Sequence, residues 1–189
     1  MCWSEHSPAS SFPPVADPEP DPATDLEPDL LTIVEARRGP FVISTDPRRL
    51  DRDAIHAFLA GESYWARGIA RATVDRSIDH SLNFGLFQQL GGGAPDRERQ
   101  VGFARVVTDT ATFANLADVY VLDELRGQGL GVWLMEVVMA HPALQGLRRF
   151  TLGTQDAHGL YAKFGFTAPP EAYRLMEIKA DTATLYGGG

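Results

Sequence analysis

Six residues, Arg126-Gly127-Gln128-Gly129-Leu130-Gly131, have the types and spacing of an anion cradle. They follow an apolar run over 116–122 that reads as a strand. They open a second apolar run over 132–139 that reads as a helix. Glycines let a backbone approach an anion closely, and the first turn of a helix leaves N–H groups unpaired. The helix dipole favours negative charge there. Arg126 adds a permanent cation at the mouth.

Three phosphate chemistries compete for this turn. A Walker loop ends in Gly-Lys-Ser/Thr, and that ending is missing here. A dinucleotide fingerprint has its third glycine later and an acid about twenty positions on; Leu147-Arg148-Arg149 occupies that region instead. The pyrophosphate of coenzyme A asks for Arg or Gln, two spacers, Gly, one spacer, then Gly or Ala. Arg126, Gly129 and Gly131 meet that pattern. A tight strand-to-helix turn without a ligand is the plain structural alternative.

The elements that would position this turn are legible in outline. Residues 31–35 and 41–45 are rich in β-branched types and flank Arg-Arg-Gly-Pro, which predicts a hairpin or two short strands. Asp46-Pro47 starts a helical region in which Leu50, Ile55, Phe58 and Leu59 recur at helical spacing and Gly61 ends the run. A second helix is expected over 72–81, with Val74 and Ile78 on one face. Strands follow at 84–90, 100–108 and 112–122, with a loose turn over 91–96. A helix over 129–140 stops before Pro142. Its apolar run is broken only by Glu136, which predicts burial on most sides. A strand at 149–153 and a helix capped by Asp156 and ended by Gly165 come next. A last strand is expected at 173–178. The class is α+β, a mixed and mostly antiparallel twisted sheet flanked by helices. One crossover makes the strands before and after the long helix parallel. Ligands in such sheets gather at the carboxyl ends of the strands, where the glycine turn sits.

Composition narrows the function classes. The chain has 189 residues, room for one domain with a real core. Its single cysteine, Cys2, forbids an internal disulfide framework and a Cys-based metal site. No apolar stretch reaches the length of a membrane span, and the N-terminus lacks a basic segment followed by an apolar core. A cytoplasmic location is therefore expected. The net charge of −8 is concentrated in residues 1–30, which hold seven acids and no Lys or Arg. The remaining body is close to neutral, with 18 acidic against 17 basic residues. It shows no electrostatic footprint for nucleic acid or an anionic membrane. The same thirty residues hold seven of the thirteen prolines, a composition that predicts a disordered tail. Such a tail reads as a solubilising extension or as a partner-binding arm. Residues 31–180 are expected to form the folded domain and 181–189 a flexible end.

A second segment, Leu160-Tyr161-Ala162-Lys163-Phe164-Gly165-Phe166, follows the strand at 149–153. Taken with residues 121–131, it resembles the GNAT superfamily of acyl-CoA-dependent N-acyltransferases. The two motifs stand in the family order, with one helix and one strand between them. The resemblance is clear over about residues 100–178 and weaker from about 41; it does not reach the tail. It implies a sheet that splays beside its central strand, with pantetheine in the gap. Backbone groups near Val119 and Val121 would pair with the pantetheine amides. Arg126, Gly127, Gln128, Gly129, Leu130 and Gly131 would hold the pyrophosphate. Thr154 stands where the family often has an Asn that touches the cofactor.

The same resemblance makes Tyr161 a catalytic candidate, a hydroxyl near the sulfur that can protonate the departing thiolate. Tyrosine also packs well in such a place. An amine acceptor resembling lysine, with a pKa of about 10, arrives protonated. Asp118, on the strand before the glycine turn, is the candidate base or ammonium anchor, with Asn115, His158 and water as alternatives. The first two helices and their connection would line the acceptor pocket, which points to Tyr64, Trp65 and Arg71. The expected activity is transfer of an acetyl group from acetyl-CoA, as co-substrate and without metal, to a primary amine on a small molecule or peptide. Attack would be direct, in a ternary complex. A non-catalytic acyl-CoA sensor and a nucleotide-binding protein are the competing classes. Homodimers are common in the family, and the sequence leaves both the oligomeric state and the acceptor open.

Overall fold

A computed structural model describes residues 32–91, 97–170 and 172–186. The expected tail and most of the turn over 91–96 lie outside the described residues.

Six strands form one sheet in chain order: β1 (Glu35–Arg38), β2 (Phe41–Ser44), β3 (Leu82–Gln89), β4 (Glu98–Thr108), β5 (Phe113–Val121) and β6 (Arg149–Leu152). The first five are antiparallel neighbours, and β5 and β6 run parallel, as the single crossover requires. The hairpin joining β1 and β2 is shorter than the sequence suggests. Gly39 takes φ +57°, so Gly39-Pro40 makes the whole turn and Arg37 and Arg38 stay in the strand. β1 therefore begins at Glu35, while Val34 is held by Thr45 through both its N–H and its carbonyl.

Helices cover both faces. On one face α3 (Leu130–Ala140) buries Leu130, Trp133, Leu134, Met135, Val137 and Val138 against Phe84, Leu86, Ala104, Val106, Ala114 and Leu116, and leaves Glu136 exposed. On the other face lie α1 (Arg52–Ala57), its last turn widened to π spacing over Phe58–Glu62, and α2 (Arg71–Asp79). Ile55, Phe58, Leu59, Val74 and Ile78 pack there on Phe103 and Tyr120. Asp51 caps α1 by accepting the Ala54 N–H at 2.9 Å.

Two features set the geometry of the site. The β5–β6 ladder pairs Phe113 with Arg149 and ends at Leu116 opposite Leu152, although β5 continues to Val121. Residues 117–121 thus have no strand partner on that side among the described residues. In the β4–β5 ladder, Phe103 pairs with Tyr120 and Arg105 with Ala117, so Asp118 and Val119 together oppose Ala104. This is a β-bulge, and it resets the alternation of β5. Leu116 faces α3, and Tyr120 faces α1.

Two sequence expectations fail locally. Residues 173–178 do not form a strand: Ala172–Arg174 is a single helical turn, and Met176 and Ile178 are fully exposed. Two prolines at 169–170 and an alternation too weak to bury one face leave this segment without a sheet edge to join. Asp156 does not cap the helix after β6. That helix, α4 (His158–Ala162), is preceded by Ala157, whose N–H donates to the Thr154 hydroxyl at 3.0 Å. Gly165, at φ +85°, ends the following turn as expected. The last element among the described residues is α5 (Thr182–Tyr186), whose Tyr186 carbonyl lies against Gly68.

Candidate active site

An open cleft of about 1500 Å³ runs through the gap between β5 and β6. Its floor is the unpaired stretch from Ala117 to Val121. One rim is the turn from Arg126 to Gly131 and the start of α3; the other is Gly153 to Ala157 with Leu160 and Tyr161. The far end is walled by Phe58, Glu62, Tyr64, Trp65 and Arg67.

The glycine turn takes the conformation its composition predicts. Gly127 and Gly129 have φ of +78° and +77°, a region costly for residues with a Cβ. Gly129 is the residue before α3, and no side chain caps that helix. Its first N–H groups thus face the cleft rim without a side-chain acceptor. Gly131 leaves open space: a Cβ there would meet nothing nearer than Leu160 Cδ2 at 4.0 Å. Arg126 is exposed and bonded to Asp123 at 2.7 Å and to the Val121 carbonyl at 3.3 Å. Such an exposed pair is weak and exchanges readily for a phosphate. Gln128 is exposed and lies outside the cleft lining.

Sequence reasoning missed Arg38. Its guanidinium lies over the Trp133 ring at 5.9 Å, and its Nη1 is 4.0 Å from where a Gly129 Cβ would stand. It brings a second cation to the glycine turn. No sequence signal marks it, because it lies about ninety residues upstream and reaches the turn only through sheet order.

Tyr161 lines the cleft and is 8% exposed, with its ring edge-on to Phe166 at 6.1 Å. Burial, then the nearby Tyr64 hydroxyl and Asp156, push its pKa up to about 12. The hydroxyl therefore stays protonated, a hydrogen-bond donor, through all ordinary working conditions. Thr154 lines the same rim with its hydroxyl accepting from Ala157. Val119 and Val121 lie on the floor, and Tyr64 and Trp65 on the far wall.

Asp118 lines the floor but is engaged: Oδ1 accepts the Trp65 indole N–H at 3.1 Å and Oδ2 the Arg105 Nε–H at 2.6 Å. Asn115 also lines the cleft and accepts from the Thr151 hydroxyl at 3.0 Å. Two candidates are not brought to the cleft. Arg71 pairs with Asp53 and Asp75 on the outer surface of α2. His158 is exposed at the start of α4 and is absent from the lining.

The fold and this cleft define an acyltransferase architecture, and comparisons agree. A family profile described as an acetyltransferase (GNAT) domain matches residues 93–168. A Gibberella zeae protein assigned by name to the acetyltransferases is 36% identical over 140 residues, covering 67% of this chain and 78% of the relative. A crystal structure from Xanthomonas campestris pv. campestris, assigned to the GNAT family, is 51% identical with a TM-score of 0.69, over 77% of this chain and 96% of that one. A Clostridium acetobutylicum protein solved with acetyl-CoA shares the fold at 11% identity and a TM-score of 0.50, over 74% of this chain and 94% of that one. The chain belongs to the GNAT family of acetyltransferases. Among the described residues no helix is long and apolar enough to cross a membrane.

Proposed function

We propose that this protein moves the acetyl group of acetyl-CoA to a primary amine by direct attack within a ternary complex. One observation carries the reading. A helix start with no side-chain cap, glycines in the left-handed region, a strand edge without a partner and the side chain of a largely buried tyrosine all open on one cleft. Each suits a different part of acetyl-CoA. The N–H groups of residues 127–131, with Arg38 and Arg126, would hold the pyrophosphate. The N–H and carbonyl groups of residues 117–121 that point away from β4 would pair with the two pantetheine amides, as a strand would, the Val121 carbonyl first giving up its bond to Arg126. Thr154 and Tyr161 flank the place the thioester would then occupy.

The amine nitrogen attacks the thioester carbonyl carbon, the C–N bond forms and the C–S bond breaks. Tyr161 donates a hydrogen bond to the departing sulfur. Full proton transfer from a hydroxyl of pKa about 12 to a thiolate, whose thiol has a pKa of about 8.5, would run uphill by about 5 kcal/mol. Tyr161 therefore stabilises the developing charge and ends the cycle protonated. The acceptor, arriving as an ammonium ion, sheds one proton before attack and a second as the amide forms; one is matched by the proton the thiolate takes up from solvent, and the other is released to solvent. The acceptor enters past Tyr64 and Trp65 and is a small molecule or a peptide end. A cytoplasmic location accompanies this reading.

Calorimetry tests it: micromolar binding of CoA and acetyl-CoA, followed by amine-dependent thiol release, is the expected result. Folded protein that gives no heat with either ligand sinks it.

A further inference from the structure

Asp118 adopts φ +53°, which is rare for a residue with a Cβ. Such a conformation is costly and persists only where the surroundings over-determine it. Here the surroundings do so. Asp118 is one of the two bulge residues opposite Ala104, its side chain is 12% exposed, and each carboxylate oxygen has a protein donor. Arg105, the donor to Oδ2, is itself tied to the Ser81 hydroxyl at 3.1 Å. The donor to Oδ1 is Trp65, whose ring is edge-on to Tyr64 at 5.0 Å and tilted against Phe58 at 6.4 Å. A continuous chain of contacts thus runs from the sheet, through one carboxylate, to the aromatic wall of the cleft.

We propose that Asp118 is a positioning residue: it fixes Trp65, and through it Tyr64, as the surface on which the acceptor packs, and it does not take the acceptor's proton. This rests on the acetyltransferase reading above. A general base must turn a lone pair toward the proton at hydrogen-bond range. The two oxygens of Asp118 are instead directed at an indole and a guanidinium. Removing the carboxylate would leave the Trp65 N–H without its acceptor and release the ring from the sheet. Proton removal falls to groups other than Asp118.

The test compares wild type, Asp118→Asn, Trp65→Phe and the double variant. Thiol release from acetyl-CoA is followed with the fastest amine from a panel of alkylamines, arylalkylamines and amino acids. Asn tolerates the left-handed region, but its one amide oxygen cannot accept from both donors; kept on the charged Arg105 guanidinium, it leaves the indole N–H facing an NH2 group. Asp118→Asn is expected to keep kcat within about threefold and to raise the acceptor KM about tenfold. The acetyl-CoA KM and the limbs of the pH–rate profile should not move. Trp65→Phe should give the same split, and the double variant should be no worse than the more affected single one, since both remove one contact. A fall in kcat of about a hundredfold in Asp118→Asn, with loss of the ascending pH limb and a near-normal Trp65→Phe, overturns the proposal. So does a normal acceptor KM in Trp65→Phe, a variant that leaves the Asp118–Arg105 pair untouched and decides the matter alone if Asp118→Asn does not fold. Absence of acetyl-CoA binding in wild type would instead defeat the acetyltransferase reading.

Discussion

The Tyr64 hydroxyl accepts the backbone N–H of Gln155 at 3.0 Å, joining the connection between the first two helices to the loop after β6. The bond links the far wall of the cleft to the rim that carries Tyr161. Tyr64→Phe keeps the edge-on contact with Trp65 and removes the bridge. Because Tyr64 is 53% exposed, the loss of stability should be about 1 kcal/mol or less. The acceptor KM should rise several-fold with acetyl-CoA affinity unchanged. Equal effects on both substrates would contradict a wall on the acceptor side alone.

Tyr161→Phe, which removes one donor to the developing thiolate, should lower kcat by about 10²-fold while leaving acetyl-CoA binding and thermal stability near wild type. With the Tyr161 pKa pushed up to about 12, its deprotonation should cause no falling limb in the pH–rate profile below about pH 11. The same shift links to stability. Between about pH 10 and 12 the unfolded chain gives up the phenolic proton first, so stability present below pH 10 is lost as pH rises through that window. Steady-state kinetics and urea titrations across pH would show a wild-type kcat in Tyr161→Phe if the hydroxyl only packs.

Gly129 and Gly131 separate folding from ligand approach. Gly129→Ala forces a Cβ into a φ of +77° and should cost about 1–2 kcal/mol. Gly131→Ala sits inside α3 with room for a methyl group, and should leave stability unchanged or raise it by up to about 1 kcal/mol. Both should weaken CoA binding. A Gly131→Ala protein that binds CoA like wild type would show that the anion does not approach this turn.

Arg38→Ala should weaken CoA about tenfold in a salt-dependent way and weaken dephospho-CoA alike if the pyrophosphate is its target. Calorimetry at low and high salt measures this. Affinity unchanged at low salt would leave Arg38 a surface cation packed on Trp133.

His141 is buried, with Nδ1 accepting the Ala143 N–H at 3.2 Å. Burial holds its pKa below the usual imidazole range, an effect offset only in part by the Thr32 carbonyl. Below about pH 6.5 the unfolded chain binds the proton more readily than the folded one, so stability should fall as pH drops through that value. His141→Asn, whose Oδ1 can take the Ala143 N–H, should flatten the slope of urea-derived stability between pH 7.5 and 5. An unchanged slope would place its origin elsewhere.

Much of this architecture was legible because local signals agreed with tertiary demands. The glycine turn, the buried helix after it and the parallel crossover each followed from residue types at fixed spacing. Asp118 shows where legibility ends. Strict alternation along β5 puts Leu116, Asp118 and Tyr120 on one face; the bulge moves Tyr120 to the other and turns Asp118 toward Trp65. An inserted residue of this kind has no signature in a lone sequence. The same holds for Arg71, which the family resemblance suggested as a pocket residue by its place at the start of the second helix but which Asp53 and Asp75 hold on the surface. The pairings of Arg38 with Gly129 and of Tyr64 with Gln155 depend on sheet order, which spacing along the chain does not encode.

The early end of the β5–β6 ladder at Leu116 and Leu152 has a consequence for solubility as well as for catalysis. An unzipped strand margin normally invites promiscuous stacking with other chains. Here it lies at the bottom of a trench, between the glycine turn and α4. A second strand would have to enter between those two walls before it could pair, so the flanking elements, and not charges or prolines along β5 itself, guard this margin.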